Sequence, residues 1–186
     1  MKQHFRFVVI LSLVYALQSF SEDAKGNEWG PVTNNAQMSI ASQAAKNELK
    51  IGQPVNLWVR YRNISTNQTV CVFAVNGTVH DPEYSFFVMS PSGKDVSPDL
   101  KKWAPESGRI MCVRPRQVRA IEFNLSAVCK FDEVGTYKIT AQKRGIWTGE
   151  KSIPFSLVSN PLLLSIVPDT NAHNVQTNNP PKGLEQ

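Results

Sequence analysis

The chain has 186 residues and a formal net charge of +5, and its length suits one folded domain of ordinary size. A mildly basic balance does not by itself predict nucleic-acid binding, which goes with a clustered basic face and a higher pI. We therefore expect a single domain with no nucleic-acid partner.

The first residues have the pattern of a secretory signal peptide. Lys2 and Arg6 precede an uncharged run over residues 7–17, which is too short to span a bilayer, and Ser19-Phe20-Ser21 offers a small-x-small cleavage site. We predict a signal peptide over residues 1–21, cleaved after Ser21; an uncleaved membrane anchor is the alternative. Because Lys2 and Arg6 leave with it, the formal charge falls by two, to +3. The processed protein is then expected to be secreted or periplasmic.

Composition divides the remaining chain into three parts. Residues 22–28 are polar and charged and are predicted to be a flexible leader, and residues 29–167 form the folded domain. Residues 168–186 are mostly Asn, Pro, Thr and Gln. So few bulky apolar side chains cannot offset the entropy lost on ordering, so we predict a disordered polar tail.

One stretch near the end of the domain indicates its architecture. Tyr137, Ile139 and Ala141 alternate with polar residues, which is the period of a half-buried antiparallel strand. The Asp-x-x-Gly-x-Tyr lead-in is typical of a tyrosine corner, in which a phenol hydrogen-bonds to the preceding turn. We therefore assign Asp132, Gly135 and Tyr137 to a structural corner.

Other strands follow from the same periodicity. We predict strands over residues 37–42, 55–62, 69–75, 84–89, 109–113, 118–125, 153–158 and 162–167, with the last two pairing to close a sheet edge. Turn signals separate them, and no segment has a convincing helical pattern. The chain is therefore predicted to be all-β, an immunoglobulin-like β-sandwich of roughly seven to nine antiparallel strands.

Several turn and corner motifs follow one another over residues 37–142. They are Ile51-Gly52-Gln53-Pro54-Val55, Val59-x-Tyr61-x-Asn63-Ile64-Ser65, Phe86-Phe87-Val88, Pro91-Ser92-Gly93, Arg114-Pro115-Arg116-Gln117 and Gly135-Thr136-Tyr137. Their order resembles that of bacterial exported immunoglobulin-like domains and of the bacterial intracellular proteinase inhibitor family, which implies this fold and offers inhibition as one hypothesis for function. The chain departs at Arg116, where such domains usually carry the glycine of Pro-Gly-Glu.

Residues suited to catalysis or metal binding are few. His80 lies in a predicted loop, where a solvated side chain is the simpler interpretation, and His173 lies in the tail. Asp132 and Glu133 are adjacent, so they do not face each other across a substrate. No group of residues has metal-ligand spacing, and there is no glycine-rich phosphate loop. We predict a protein that is not an enzyme and has no cofactor or metal.

Two features suggest a partner instead. Arginines at 109, 114, 116 and 119 follow Trp103 and could grip an acidic glycan or protein, although a solvated loop rim is the alternative. Trp58 points outward beside two arginines and could stack on a sugar ring or insert into a partner, unless Trp29 or residues 95–117 cover it. The candidate partner-binding residues are Trp58, Arg60, Arg62, Trp103, Arg109, Arg114 and Arg116.

Three cysteines remain after processing, and export allows a disulfide between two of them. Counting strands up and down places Cys71 and Cys112 at one end of the sandwich and Cys129 at the other. Since a bridge needs Cα atoms within about 7 Å, we predict a Cys71–Cys112 disulfide.

These observations predict a non-catalytic exported binding or scaffold module of the bacterial cell envelope, with an unknown protein or glycan partner. The alternative is a proteinase inhibitor that presents a loop within residues 95–117, where basic residues could enter a trypsin-like pocket.

Overall fold

The computed structural model describes residues 28–74, 83–100, 109–148 and 154–169. Within these ranges the chain is all-β, with ten strands and two short 3-10 turns. None of the helical segments in these ranges is long and apolar enough to cross a membrane. The strands are β1 (Ala36–Ser42), β2 (Glu48–Lys50), β3 (Asn56–Asn63), β4 (Val70–Ala74), β5 (Tyr84–Met89), β6 (Arg109–Val113), β7 (Val118–Asn124), β8 (Gly135–Thr148), β9 (Phe155–Val158) and β10 (Leu162–Val167).

Strands β1, β3 and β7 form an antiparallel three-stranded sheet with β3 in the middle. Leu57, Val59 and Tyr61 of β3 are buried, and the residues between them point to the opposite face. This is the period-two pattern that the sequence predicts, because successive side chains of a strand alternate between faces.

The other seven strands form a sheet that is organised on β8, which is 14 residues long. Along one edge of β8, β10 pairs with its first part and β9 with its later part. Along the other edge, β5 pairs first and β4 follows. β2 and β6 lie at the two ends of this sheet. β8 therefore bonds to four strands, and it fixes the relative position of most of the domain.

The seven-stranded sheet differs in two ways from the sequence-based prediction. β2 runs parallel to β10, so the sheet is mixed and not wholly antiparallel. β9 and β10 do not pair with each other: both follow β8, and they are separated at Ser159, whose N–H donates to Ala141 O (2.8 Å). β2, which is not among the strands predicted from the sequence, raises the strand count of the described ranges to ten. Alternation reveals that a segment is extended, but it does not reveal the partner or the direction of the pairing.

The two sheets pack against each other through one hydrophobic core. Phe86 of β5 and Phe123 of β7, from facing sheets, have ring centroids 4.6 Å apart. The hydroxyl groups of Tyr61 and Tyr84 hydrogen-bond across the same interior. Removing the inner side chains of both sheets from water is the main contribution to the stability of such a two-layer arrangement.

The lead-in to β8 has the geometry of a tyrosine corner. Tyr137 is fully buried, and its hydroxyl accepts a hydrogen bond from the N–H of Glu133 (3.0 Å). Gly135 has φ +132°, and a Cβ there would lie 2.7 Å from Pro91 Cβ, so this corner requires glycine. Asp132 is exposed at the turn. Burial raises the pKa of the Tyr137 phenol above its usual value, so it stays neutral and able to hydrogen-bond.

Replacing Tyr137 by Phe tests the corner. The change keeps the buried ring but removes the acceptor of the Glu133 N–H, so we expect the free energy of unfolding to fall by about 1–2 kcal/mol. Urea unfolding followed by circular dichroism measures it, and the exposed Thr136→Ala, expected to change stability by less than about 0.5 kcal/mol, is the control. An unchanged urea midpoint for Tyr137→Phe contradicts a structural role for this bond.

Cys129 is a free thiol that is buried at the end of the sheets where β7 leads into β8. Its Sγ donates to Val96 O (3.1 Å). Burial, with smaller contributions from the carboxylates of Asp132 and Asp95, raises the pKa of Cys129 from 9.0 to about 11. The group is therefore a protonated, poorly nucleophilic thiol at neutral pH.

We expect Cys129 to resist thiol reagents at pH 7 in the folded protein and to react at once in denaturant. Because the unfolded chain loses the thiol proton at a lower pH than the folded one, stability should fall as pH rises from about 9 to about 11. Comparing the urea midpoints of the wild type and Cys129→Ala across this range isolates the effect. Rapid labelling of Cys129 in the folded protein at pH 7 would contradict the expectation that this thiol is buried and protonated.

Candidate functional site

The outer face of the three-stranded sheet carries the aromatic and basic residues that the sequence singles out on β3. Trp58, Arg60 and Arg62 lie on this face because each is one residue removed from a buried position of β3. In the register of the sheet, Trp58 lies between Ala41 of β1 and Glu122 of β7. The face therefore has an indole at one level and two guanidinium groups at the next two.

Trp29 covers the two arginines and not Trp58. The guanidinium carbon of Arg62 lies 4.5 Å from the centroid of the Trp29 ring, and that of Arg60 lies 5.2 Å from it. These distances fit cation–π contacts. Trp58 is 39% exposed, so the Trp29 segment does not bury its side chain. Residues 101–108 of the 95–117 segment, the other predicted cover, lie outside the described residues.

Neighbouring polar groups orient both guanidinium groups. Arg62 donates from Nε and Nη2 to Gln37 Oε1 (3.2 and 2.7 Å), and Gln37 in turn donates to Gly30 O (2.9 Å). Arg60 donates from Nε to Ser39 Oγ (2.9 Å) and forms an ion pair with Glu28. Since their directions are set by the protein, little side-chain entropy remains to be lost when a partner binds to this face.

The basic cluster of the sequence is only partly described. Arg114 and Arg116 are exposed in the turn between β6 and β7, at the end of the three-stranded sheet where Arg62 lies opposite Val118. Arg109 begins β6, but its side chain lies outside the described residues, as does Trp103. The structure thus brings Arg114 and Arg116 to the same end of the sheet as Arg62.

Arg116 has a backbone conformation that disfavours a side chain. Its φ is +59°, in the left-handed region, and the N–H of Gln117 donates to Arg114 O (3.1 Å) to close the turn. The left-handed conformation costs a non-glycine residue about 1–2 kcal/mol. The turn therefore holds a side chain in a conformation that glycine would adopt without this cost.

A polar cluster around a buried lysine lies at the margin of the core, and the sequence analysis missed it. Lys143 is fully buried, its Nζ lies 2.7 Å from Glu83 Oε2, and it also contacts the face of the Tyr84 ring at 4.7 Å. Gly145 has φ +67°, and a Cβ there would collide with the Glu83 carboxylate. The signal was present: the alternation of β8, continued by one step beyond Ala141, places Lys143 on the inner face.

A pair of cysteines and one glutamate make contacts that join separate parts of the fold. Cys71 and Cys112, directly opposite each other on β4 and β6, form a disulfide with a Cα–Cα distance of 4.1 Å. This is the pair that the sequence analysis selects. The carboxylate of Glu133 accepts hydrogen bonds from Ser92 Oγ and N (3.1 and 3.2 Å), which lower the pKa of Glu133 and tie the β5 turn to the corner.

The described residues hold no group of three or more His, Cys, Asp or Glu placed to bind a metal ion. His80 and the segment 101–108, on which the catalytic and inhibitor hypotheses depend, lie outside the described residues. A shallow groove of about 350 Å³ lies on the outer face of the seven-stranded sheet beside the exposed Phe87. The outer faces of the two sheets thus differ, one basic with an indole and the other more apolar.

Comparison with known proteins identifies no family. No family model matches the chain, and no curated protein matches it. Among solved structures, a Northeast Structural Genomics Consortium target has a TM-score of 0.47 and 9% identity over 73% of this chain and 90% of its own. A β-glucosidase from Listeria innocua in complex with gluconolactone has a TM-score of 0.34 and 12% identity, and the match covers 71% of this chain and 17% of the glucosidase. Because the TM-scores are below 0.5 and the identities are 9% and 12%, these similarities support no inference about function.

Proposed function

We propose that this chain is a non-catalytic, exported binding module built on an immunoglobulin-like β-sandwich. The strand order supports the fold: β1, β3 and β7 form one sheet, β8 is central in the other, and β2 follows β1 to pair in parallel with the last strand. In constant-type immunoglobulin domains the first, second, fourth and fifth strands share one sheet, and the third, sixth and seventh form the other. β1, β3 and β7 would then correspond to the first, second and fifth strands. The basic start and the short apolar run of residues 1–21 support export.

The observation that carries the proposed function is the outer face of β3. An indole that is 39% exposed stands beside two guanidinium groups that Trp29, Gln37 and Ser39 already orient. Tryptophan and arginine are the residues that most often dominate binding energy at interfaces, because each combines a large apolar area with directional donors. The face therefore has the composition of a recognition surface.

The chemistry of this face favours a partner with a flat apolar ring and an anionic group. The indole offers a stacking surface for the first, and the positive charge of the two guanidinium groups attracts a carboxylate or sulfate. An acidic saccharide supplies both in one unit, whereas a neutral sugar supplies only the ring. We therefore propose an acidic glycan of the cell envelope or its surroundings as the ligand.

Trp58→Ala tests this proposal. Removing the stacking surface should weaken binding of a sulfated or carboxylated oligosaccharide by about tenfold, because one well-placed aromatic contact contributes 1–3 kcal/mol or so. Isothermal titration of the processed protein measures the affinity. Phe87→Ala is the matched control, since Phe87 is also an exposed aromatic residue but lies on the other sheet. Equal affinities for both variants and the wild type, or no binding of any acidic glycan, count against the proposal.

Arg116→Gly tests whether the left-handed conformation of this arginine strains the turn between β6 and β7. Glycine adopts the left-handed conformation without strain, so we expect the free energy of unfolding to rise by about 0.5–1 kcal/mol, less than the full strain because glycine also loosens the unfolded chain. Chemical denaturation measures this gain. Gln117→Gly, next in the turn but without a positive φ, is the control and should lose stability. A loss of stability for Arg116→Gly contradicts the strain argument.

The proteinase inhibitor hypothesis rests on a loop within residues 95–117. Of that segment, Asp95 bridges to Met89 of β5 and residues 114–117 form the tight turn, while residues 101–108 are outside the described part. Inhibition therefore stays a prediction of the sequence resemblance.

A further inference from the structure

The free edge of β7 is the feature from which we draw a further inference. β7 lies at the end of the three-stranded sheet, and within the described ranges no strand pairs with its other side. The pairing of β7 with β3 is continuous from Val118 to Asn124, without a bulge. An exposed, regular edge of this kind is a template for another strand.

The hydrogen-bonding pattern shows which backbone groups the edge offers. Asn63 N–H donates to Gln117 O (3.0 Å) and Leu125 N–H donates to Val55 O (2.9 Å), so the odd-numbered residues of this strand bond to β3. In an antiparallel sheet the alternate residues direct their N–H and C=O groups the other way. Val118, Ala120 and Glu122 therefore present their donors and acceptors to the free edge, and all three are exposed.

The charges along this edge are self-complementary. Arg114 and Arg116 precede its first residue, and Glu122 lies near its last. If a second β7 pairs antiparallel about a two-fold axis at Ala120, each Glu122 lies opposite the partner's Val118. This is the end of the partner's edge at which Arg114 and Arg116 precede the strand, so opposite charges lie at each end of the paired edges. Centring the axis on Arg119 or Glu122 would instead place like charges opposite each other.

We propose that β7 pairs with β7 of a second copy of this chain, so that two three-stranded sheets join into one six-stranded sheet. The contact is isologous and uses the edge of both copies, so it ends at a dimer and does not propagate. The dimer would place the two Trp58 faces on one continuous surface. This inference does not rest on the proposed glycan, because it concerns the backbone edge and its charges.

The strength of the contact follows from its size. Three backbone pairs, with opposite charges at each end, bury less than the ~1,600 Å² of a standard stable interface, so the dimer should be weak and depend on concentration. Sedimentation velocity of the processed protein from micromolar to millimolar concentration measures this. We expect a reversible shift from monomer to dimer; a monomer throughout this range overturns the proposal.

Ala120→Pro is the decisive variant. The N–H of Ala120 faces the free edge, so proline removes a donor of the dimer and none of the β3–β7 ladder, and edge positions of this kind tolerate proline. We expect circular dichroism to be unchanged and the dimer to be lost. A folded Ala120→Pro protein that dimerises as the wild type does overturns the assignment of this edge.

Two further tests, a charge exchange and a disulfide cross-link, do not depend on whether Ala120→Pro folds. Glu122→Arg should raise the dimer dissociation constant about tenfold, and adding Arg116→Glu to it should restore most of the loss. Oxidised Ala120→Cys should give a disulfide-linked dimer, whereas Ala45→Cys, an equally exposed alanine between β1 and β2, should not. Equal cross-linking at both positions, or no rescue by the charge exchange, contradicts β7 pairing.

Discussion

The structure depends on β8, because both edges of its backbone are hydrogen-bonded to other strands. β8 bonds to β10 and β9 on one side and to β5 and β4 on the other, and its inner side chains, including Tyr137 and Ile139, are fully buried. A strand in this position must satisfy hydrogen bonding and packing together, because a shift by one residue would turn every inner side chain to solvent. The tyrosine corner fixes the start of β8, and so it sets the register for the strands around it.

The far end of β8 is fixed by polar contacts instead of apolar ones. Lys143 and Glu83 form an ion pair whose lysine is withdrawn from water, and such pairs return little net stability because desolvation offsets the attraction. Breaking one partner would nevertheless leave an uncompensated charge in the core. The pair therefore acts against alternative alignments of β5 on β8, and Gly145 is needed to make room for the carboxylate.

The two sheets differ in the side chains and backbone groups that they expose to solvent, and this difference is the basis for the functional proposals. The large sheet supplies most of the core and carries the disulfide that joins β4 to β6. The small sheet carries an oriented indole–guanidinium face, a strained arginine at its end and an open edge. Under the two proposals, the outer face of this sheet holds the ligand and its open edge joins two copies side by side.

By itself, the sequence determined the all-β class, most strand positions, the outward direction of Trp58, the corner at Tyr137 and the choice of Cys71 with Cys112, because each depends on spacing along the chain. Pairing was decided only by the tertiary structure: the parallel contact of β2 with β10, the division of β9 from β10, and the placement of Trp29 over Arg60 and Arg62 all join residues without local periodicity. The buried Lys143 depends on both, since alternation places it inward but only Glu83 and Tyr84, brought beside it by the fold, allow the charge to remain there.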